Sequence, residues 1–508
     1  MKSSKVPFVL AAAAAVWLPI ADVRAGDNIS TKPQAAAATD ATLFPIPNLQ
    51  GSFFERDRLL GDGGGFRQTM AEHGVQLDFN LLQFYQGVMS GGDSKGWSDR
   101  VSGSLNDGLK KILSDRLSQA AEANSPLGRA LSLPLPRLGN AALSDVIQNR
   151  IDRLDIGNRE APSPRDADYL GQWTMELKLD TNKMGLWPGG FFFVRAQQVF
   201  GSGVNARSGA LLPVNAESLI PAPGLDGVVV PQVYFTQFLC EHAAITLGKL
   251  DTLGGDSNEF AHIAGDDRFI GSAFSFDPVV AVLAPYSPLG IALTLLPTKN
   301  IQINLSVIDG DGVPTQSGFD TLFKGKTSYV GEGKITTNFF GKLGHQVLGG
   351  AIGNGHYAEF KQDLRAFVPG SGVAFNRSTE SWCLYYNFDQ YFWSPTTEGD
   401  RGIGVFGRVG FADPATSPIS QFYSIGLGGK AMFTNRPHDK MGLGYYCMKT
   451  SYDLPAFLHL GNEQGVEAFY DYAVTPAFLV TADLQMVDSA KEGIHAGFIG
   501  SLRATMRF

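Results

Sequence analysis

The sequence predicts an all-β fold, a 16-stranded antiparallel β-barrel of the outer-membrane type. Three observations favour this fold. Apolar and polar residues alternate with a period of two in about 16 segments. Long and short connections alternate between those segments. After the N-terminus, the chain has no apolar run of about 18 residues, the length that a membrane-spanning helix needs.

The composition excludes several other classes of protein. The chain has 508 residues, of which 44% are hydrophobic and only 18% are charged. Soluble domains carry about 25% charged residues. Aromatic residues make up 11% of the chain, which is enough apolar material to exclude a disordered protein. The net charge of −8 argues against nucleic acid as a partner, because phosphate binding needs a basic surface.

The cysteines and histidines predict no metal site and no cofactor. Cys240, Cys383 and Cys447 are far apart and form no Cys-x-x-Cys pair, so a structural zinc site is not expected. Three cysteines allow at most one disulfide, and we expect none to matter. The eight histidines are scattered and include no His-Glu-x-x-His motif.

Residues 1–25 are predicted to be a secretory signal peptide. Lys2 and Lys5 precede an apolar run at residues 6–20, and small residues at positions −3 and −1 favour cleavage before Gly26. A membrane anchor is the alternative, but an apolar run of about 15 residues is too short for it.

The mature chain is divided into a lead-in and a barrel. Residues 26–58 are rich in alanine, threonine and proline, and they are predicted to be a flexible periplasmic lead-in. The barrel is expected over residues 59–508. It begins with a glycine-rich turn at residues 59–67, followed over residues 68–75 by a short helix and the start of a strand.

Alternation is clearest at Trp173–Asp180, where the odd positions are apolar and the even positions are polar or charged. Residues 301–307 and 478–486 repeat this pattern, which indicates strands with one apolar and one polar face. The predicted strands are 74–90, 169–181, 190–200, 231–240, 244–250, 289–297, 301–309, 327–340, 344–360, 381–393, 403–411, 421–433, 440–452, 465–474, 478–487 and 497–508.

The connections between these strands predict the orientation of the barrel. Short connections such as Glu241–Ala243 and Thr475–Ala477 are predicted to be periplasmic turns. Longer ones, such as 201–230 and 251–288, lie between them and are predicted to be external loops. An even number of strands leaves both termini in the periplasm, and the long connections then fall on the odd-numbered, external positions.

One stretch departs from the period of two. Between about residues 105 and 156 apolar residues recur every three or four positions, which is typical of amphipathic helix, and Pro134 and Pro136 interrupt it. We expect a helical insert after the first strand, lying either outside the barrel or inside the pore. The alternative is a helical decoration with no role in transport.

The chain ends in an amphipathic strand whose last residue is Phe508. Counting back by twos gives Met506, Ala504 and Leu502 on one face, while Arg507 and its neighbours occupy the other. A closing strand must pair with the first strand, because unpaired backbone groups in lipid cost several kcal/mol each.

Several motifs together resemble the carbohydrate-selective porins of bacterial outer membranes, the OprB family. They include Leu60–Arg67, followed by Gly74-Val75, with Gly63 where the family has tryptophan. Further motifs follow at 185–190, 247–251 and 269–274, and near the end at 467–476 and 483–485. The resemblance implies a 16-stranded channel that passes sugars by diffusion and is narrowed by loops with arginines, acidic residues and aromatics.

The alternation also predicts which charged side chains face the lumen. An arginine or lysine on the lipid face costs about 2–4 kcal/mol at the midplane, so charges within strands are expected to point inward. Inward charges of this kind have two alternative roles. They either contact the solute or form ion pairs with one another within the wall of the pore. The long connection at 251–288 is the best candidate for a constriction loop, with a plain surface loop as the alternative. The candidate pore-lining residues are Glu176, Lys178, Asp180, Arg195, Lys249, Arg268, Arg408, Glu467, Asp471, Arg503 and Arg507.

Enzymatic function is not expected, and no catalytic residues are assigned. Residues 92–96 fit Gly-x-Ser-x-Gly and residues 402–407 fit Gly-x-Gly-x-x-Gly, but neither lies between a strand and a helix as those motifs require. A barrel enzyme would need clustered catalytic residues at one rim. An energised receptor would need about 22 strands and a plug domain.

The sequence therefore predicts a passive porin of the bacterial outer membrane for carbohydrates and small polar solutes. The alternative is a general ion- or phosphate-selective porin with the same architecture. The expected partners are these solutes and outer-membrane lipid. Homotrimers are common among porins, but the sequence reveals no subunit interface.

Overall fold

The computed structural model of the chain describes most of the predicted barrel. The insert predicted at 105–156 and the signal peptide predicted at 1–25 lie outside the described residues. Among the described residues, no helix is long and apolar enough to span a membrane. The described residues are 44–92, 100–101, 103–104, 167–219, 227–252, 256–262, 268–322, 324–361, 367–368, 372–373, 376–395, 401–433 and 435–508.

Sixteen antiparallel strands form one closed barrel in which each strand pairs with its neighbours along the chain. This confirms the predicted fold class and strand number. The strands are β1 Val75–Gly92, β2 Ala167–Asp180, β3 Gly190–Gly201, β4 Val229–Cys240, β5 Ala243–Lys249, β6 Leu289–Thr298, β7 Ile301–Asp309, β8 Thr327–Phe339, β9 Lys342–Ala358, β10 Arg377–Trp393, β11 Gly402–Ala412, β12 Ile419–Lys430, β13 Lys440–Thr450, β14 Glu463–Thr475, β15 Phe478–Asp488 and β16 His495–Arg507.

Helices are few and short among the described residues. Helix α1, Phe66–Glu72, follows the predicted glycine turn, and Gly65 at its start has φ 92°, a left-handed conformation that favours glycine. Helix α2, Asn205–Ser208, lies in the connection after β3. Single turns of 3₁₀ helix occur at Glu217–Leu219, Ser272–Phe274, Pro278–Val280 and Ala456–Leu458, and a small separate sheet pairs Phe367–Val368 with Gly372–Val373.

The barrel closes between β1 and β16, as the terminal strand predicted. Asn80 lies opposite Arg507 in the antiparallel register, and the Phe508 amide donates to the Phe79 carbonyl at 2.8 Å. The Arg67 Nη2 atom donates to the Phe508 carbonyl at 3.2 Å. Closure leaves neither edge strand unpaired, which satisfies backbone groups that lipid could not.

The turns at one end of the barrel are tight, and the connections at the other end are long. The turn between β8 and β9 consists of Phe340 and Gly341, with φ of 55° and 73°. Positive φ at both central residues matches the twist of a two-residue hairpin. At the opposite end lie residues 202–228, which we call L2, and residues 250–288, which we call L3.

The two faces of the barrel differ in exposure, as alternation predicts. Leu77, Leu348 and Leu502 are about half exposed on the outer face. Their chain neighbours Val347 and Arg503 are buried on the inner face. The large apolar cluster of the molecule therefore lies inside the barrel, where L3 packs among inward residues of strands from β3 to β14.

Between residues 44 and 58 the lead-in is packed against the barrel. The Phe44 ring lies edge-on to Phe191 at 4.9 Å, and Leu49 is buried. The Arg58 Nη2 atom lies 2.8 Å from an oxygen of Asp78 on β1. These contacts fix the chain just before α1.

Candidate solute pathway through the barrel

L3 folds into the barrel, and its aromatic residues pack against the inner faces of β11 and β14. Phe274 on L3 is completely buried against Phe269, with 4.6 Å between ring centroids. The Phe269 ring in turn contacts Phe406 on β11 and Phe469 on β14, with 5.5 and 4.8 Å between ring centroids. Aromatic burial of this extent resembles a domain core, so this side of the lumen is filled with protein.

A buried ion pair fixes the first half of L3 to the same wall. The Nε and Nη2 atoms of Arg408 on β11 donate to the two carboxylate oxygens of Asp256, at 2.5 and 2.6 Å. Burial raises the pKa of the Asp256 carboxyl, although the Arg408 guanidinium opposes this shift. Asn258 adds hydrogen bonds from its Nδ2 atom to Asn387 Oδ1 and the Phe388 carbonyl on β10. A bidentate pair of this kind holds its partners in a defined geometry.

L2 also turns inward and joins L3. The Ala216 amide donates to the Ile270 carbonyl, and the Ser272 amide donates to the Pro213 carbonyl, both at 2.9 Å. The side chain of Asn215 donates to Gln86 on β1 at 2.6 Å. The two loops therefore form one unit that crosses the lumen from β1 to the opposite wall.

The inner wall formed by β1, β2 and β3 carries a chain of partly exposed ion pairs beside its buried apolar residues. The Lys178 ammonium lies 3.0 Å from Asp78 and 3.1 Å from Glu176. The Arg195 guanidinium lies 2.8 Å from Glu176 and 3.4 Å from Asp251, which is the second residue of L3. We call these five residues the charged wall. Lys178 and Arg195 remain 20% and 23% exposed, so water reaches them.

A second polar cluster lies where L3 meets β9, β10 and β12. The Lys430 ammonium lies 3.2 Å from the Glu259 carboxylate, and the Tyr391 hydroxyl donates to that carboxylate at 3.1 Å. Burial favours a higher pKa for the Glu259 carboxyl, but the charges of Lys430 and Arg268 outweigh it and the pKa is lowered. Glu259 therefore remains ionised as an acidic group of L3.

Comparisons with known proteins identify the family. The family model of the carbohydrate-selective porins, OprB family, matches residues 164–508, which is more than half of the chain. The high-pH structure of Pseudomonas putida OprB is 16% identical and aligns over 90% of this chain and 100% of that chain, with a TM-score of 0.66. No curated protein matches the sequence.

Two other solved structures align less closely. The low-pH structure of Pseudomonas putida OprB is 11% identical, with a TM-score of 0.48 over 90% of this chain and 99% of that chain. A triple mutant of the Rhodopseudomonas blastica porin is 11% identical, with a TM-score of 0.39 over 85% of this chain and 100% of that chain.

The chain belongs to the carbohydrate-selective porin family, OprB. It is therefore a porin of the bacterial outer membrane through which carbohydrates and small polar solutes diffuse passively. The family match confirms the resemblance seen in the sequence motifs. The closed ring of 16 strands also excludes a receptor barrel, which needs about 22 strands.

Within this OprB-family barrel, the candidate pore-lining residues fall into separate groups. Glu176, Lys178 and Arg195 lie together on the charged wall. Arg408 is bound to Asp256, and the Nη2 atom of Arg503 donates to the Arg268 carbonyl at 2.7 Å, so both arginines hold L3.

The remaining candidates take part in local structure. Asp180 accepts the amide hydrogens of Asn182 and Lys183, at 3.0 and 3.2 Å, in the turn after β2. Asp471 accepts a hydrogen bond from the Thr481 hydroxyl of the neighbouring strand at 2.5 Å. The Arg507 Nη1 atom reaches the Pro476 carbonyl at 3.4 Å near the last turn.

Lys249 corrects the rule that charged residues within strands point inward. In the register it lies opposite Val233 and Leu289, and two residues after Leu247, which is about half exposed on the outer face. Its ammonium donates to the carbonyls of Pro314 and Gln316 in the connection after β7, at 3.0 and 2.5 Å. The flexible lysine chain reaches these carbonyls at the end of the strand, so the charge is satisfied outside the lumen.

Sequence reasoning missed several polar residues of the inner wall. Asp78 lies in phase with Asn80 on β1, so the alternation rule could have identified it. Glu463 on β14 lies in phase with Glu467, and the same rule applies, but the predicted strand began two residues later. Asp251 gave no such signal, because it lies in a loop.

Proposed function

We propose that solutes cross the barrel between the charged wall and the inner surface of L3. The observation that carries this proposal is the difference in exposure between the ion pairs of the charged wall and the buried ion pair of Arg408 with L3. Lys178 and Arg195 are partly exposed, whereas Arg408 on the opposite side is fully buried under L3. A hydrated passage therefore follows the partly exposed ion pairs of the charged wall rather than the buried core around Arg408.

The chemistry of this wall suits sugars better than a single class of ion. Sugar hydroxyl groups both donate and accept hydrogen bonds, so they need paired donors and acceptors along their path. The charged wall alternates cations with carboxylates, from Asp78 through Lys178 and Glu176 to Arg195. An anion-selective pore would instead carry a surplus of cations at its narrowest part.

Conductance of the refolded protein in a planar bilayer tests this proposal. Stepwise channel openings are expected in KCl, and added mono- and disaccharides are expected to block the current saturably. Conductance that ignores sugars would leave the general porin of the same architecture. Absence of any conductance from folded barrel would overturn the passage itself.

Variants of the charged wall test which of its residues lie on the path of the sugar. Arg195→Gln removes a cation that bridges Glu176 and Asp251, so we expect a weaker sugar block with the barrel intact. Arg436→Gln is the matched control, because Arg436 pairs with Asp439 in the turn after β12. Equal sugar block in Arg195→Gln and the unmodified channel would remove Arg195 from the pathway.

We also propose that the barrel assembles as a homotrimer, the oligomeric state common among porins. Electrophoresis of unheated protein after chemical cross-linking tests it, because three linked barrels would migrate at three times the monomer mass.

A further inference from the structure

Two glutamates on strand β14 bind the backbone of the two inner loops in the same way. The carboxylate of Glu463 accepts the amide hydrogens of Leu211 and Leu212 in L2, at 2.5 and 2.9 Å. The carboxylate of Glu467 accepts those of Ile270 and Gly271 in L3, at 2.5 and 3.1 Å. Each glutamate thus satisfies two consecutive amides of one loop.

The spacing along the strand explains why one strand serves both loops. Side chains alternate in direction along a strand, so residues four apart lie on the same face. Glu463 and Glu467 therefore both point into the lumen, and both are almost completely buried. Hydrogen bonds from backbone amides to a carboxylate are stronger than those between neutral groups.

Strand β15 extends this attachment. Gln485 lies opposite Glu467 in the register, and its Nε2 atom donates to the Val214 carbonyl of L2 at 2.9 Å. Since L2 and L3 are also hydrogen bonded to each other, a loss at either glutamate affects both loops. The amides released would be buried without partners, which is unfavourable, so the loop would move away from its position on β14.

We infer that Glu463 and Glu467 are positioning residues that set the width of the solute passage. They act through L2 and L3 rather than by touching the solute. The inference rests on the proposed function, in which solutes pass between L3 and the charged wall. Loss of either carboxylate releases a loop from β14 and changes the space left for the solute.

The first test compares Glu467→Ala and Glu463→Ala with a matched buried glutamate. Glu332 on β8 accepts a hydrogen bond from the Tyr385 hydroxyl at 2.9 Å and so links two wall strands. Single-channel conductance in KCl is expected to change by about twofold or more in the two β14 variants, with increased current noise. Glu332→Ala is expected to conduct like the unmodified channel.

A conservative variant separates positioning from simple destabilisation. Gln retains one carbonyl oxygen, so Glu467→Gln is expected to give a conductance between those of Glu467→Ala and the unmodified channel. The migration of unheated protein in gels monitors the barrel and is expected to stay unchanged. Unmodified conductance in both alanine variants, or an equal change in Glu332→Ala, would overturn the inference.

Hydrogen exchange of the unmodified protein covers the case in which a variant does not fold. The amides at 211–212 and 270–271 are expected to exchange as slowly as those of β14. Exchange as fast as at exposed residues 319–320 would contradict the inference. The conductance and hydrogen-exchange measurements use no sugar. A channel that ignores sugars would therefore contradict the proposed function, whereas the roles of Glu463 and Glu467 would be tested separately.

Discussion

The two sides of the lumen are made from the same alternating strands but are filled in different ways. On the side of β10 to β14, inward residues such as Phe406 and Phe469 pack against L3 and form a core. On the side of β1 to β3, inward residues such as Lys178 and Arg195 pair with carboxylates and remain partly exposed. The inward face of a barrel strand can therefore carry either apolar core or partly exposed ion pairs, depending on which part of a loop packs against it.

The largest expected effect is a loss of stability when a buried side chain is removed from the core between L3 and the wall. Phe274→Ala removes a fully buried ring between L3 and the wall, so the free energy of unfolding should fall by about 3–5 kcal/mol. Thermal or urea unfolding in detergent measures this. Phe54→Ala is the control, because Phe54 is 68% exposed and should change stability by about 0.5 kcal/mol or less. Equal effects would mean that L3 contributes no core.

The next effect depends on pH and tests a buried carboxyl of L3. Burial raises the pKa of Asp277 to about 7 from its ordinary value of 3.8. A carboxyl whose pKa is raised on folding stabilises the protein below pH 3.8, and this stability is lost as the pH rises through about 7. Asp277→Asn should therefore gain about 2–4 kcal/mol over the unmodified protein at pH 8 but little at pH 4.

Unfolding of both proteins between pH 4 and pH 8 measures the Asp277 effect. Asp320→Asn is the control, because Asp320 is exposed in the connection after β7 and its removal should leave the pH dependence unchanged. If the stabilities of Asp277→Asn and the unmodified protein changed with pH in the same way, the raised pKa of Asp277 would be contradicted.

Removing a cation from the charged wall is expected to change the stability of the protein only slightly. It is expected to change the ion selectivity of the channel. Lys178→Gln removes a partly exposed cation beside Asp78 and Glu176, at a cost of about 1 kcal/mol or less. The zero-current potential in a salt gradient should shift towards cation preference. Lys361→Gln, on an exposed lysine outside the strands, should not shift it. An unchanged potential in Lys178→Gln would place the passage elsewhere.

The smallest effect concerns reactivity and leaves function untouched. Cys240 is exposed at the end of β4, whereas Cys383 is buried on the inner face of β10. A water-soluble maleimide should label Cys240 in the folded protein and should not label Cys383. Mass spectrometry of tryptic peptides measures the labelling. Rapid labelling of Cys383 would show that L3 does not cover this part of the wall.

The sequence by itself determined the strands, their faces and the closure of the barrel. Those features depend on a period of two and on the pairing of neighbouring strands, so local residues such as Trp173–Asp180 reveal them. The assignment to the carbohydrate-selective porins also came from motifs close together in the chain. Inward-facing charges such as Glu176 and Arg195 followed from the same rule.

Only the tertiary structure decided which inward residues hold loops and which stay partly exposed. Glu467 and Ile270 are 197 positions apart in the chain, and no local pattern shows that one accepts a hydrogen bond from the other. Arg408 and Arg195 are equivalent by alternation, yet L3 buries the first and leaves the second partly exposed. The physical reason is that periodicity fixes the direction of a side chain, whereas the path of a long loop depends on contacts across the whole barrel.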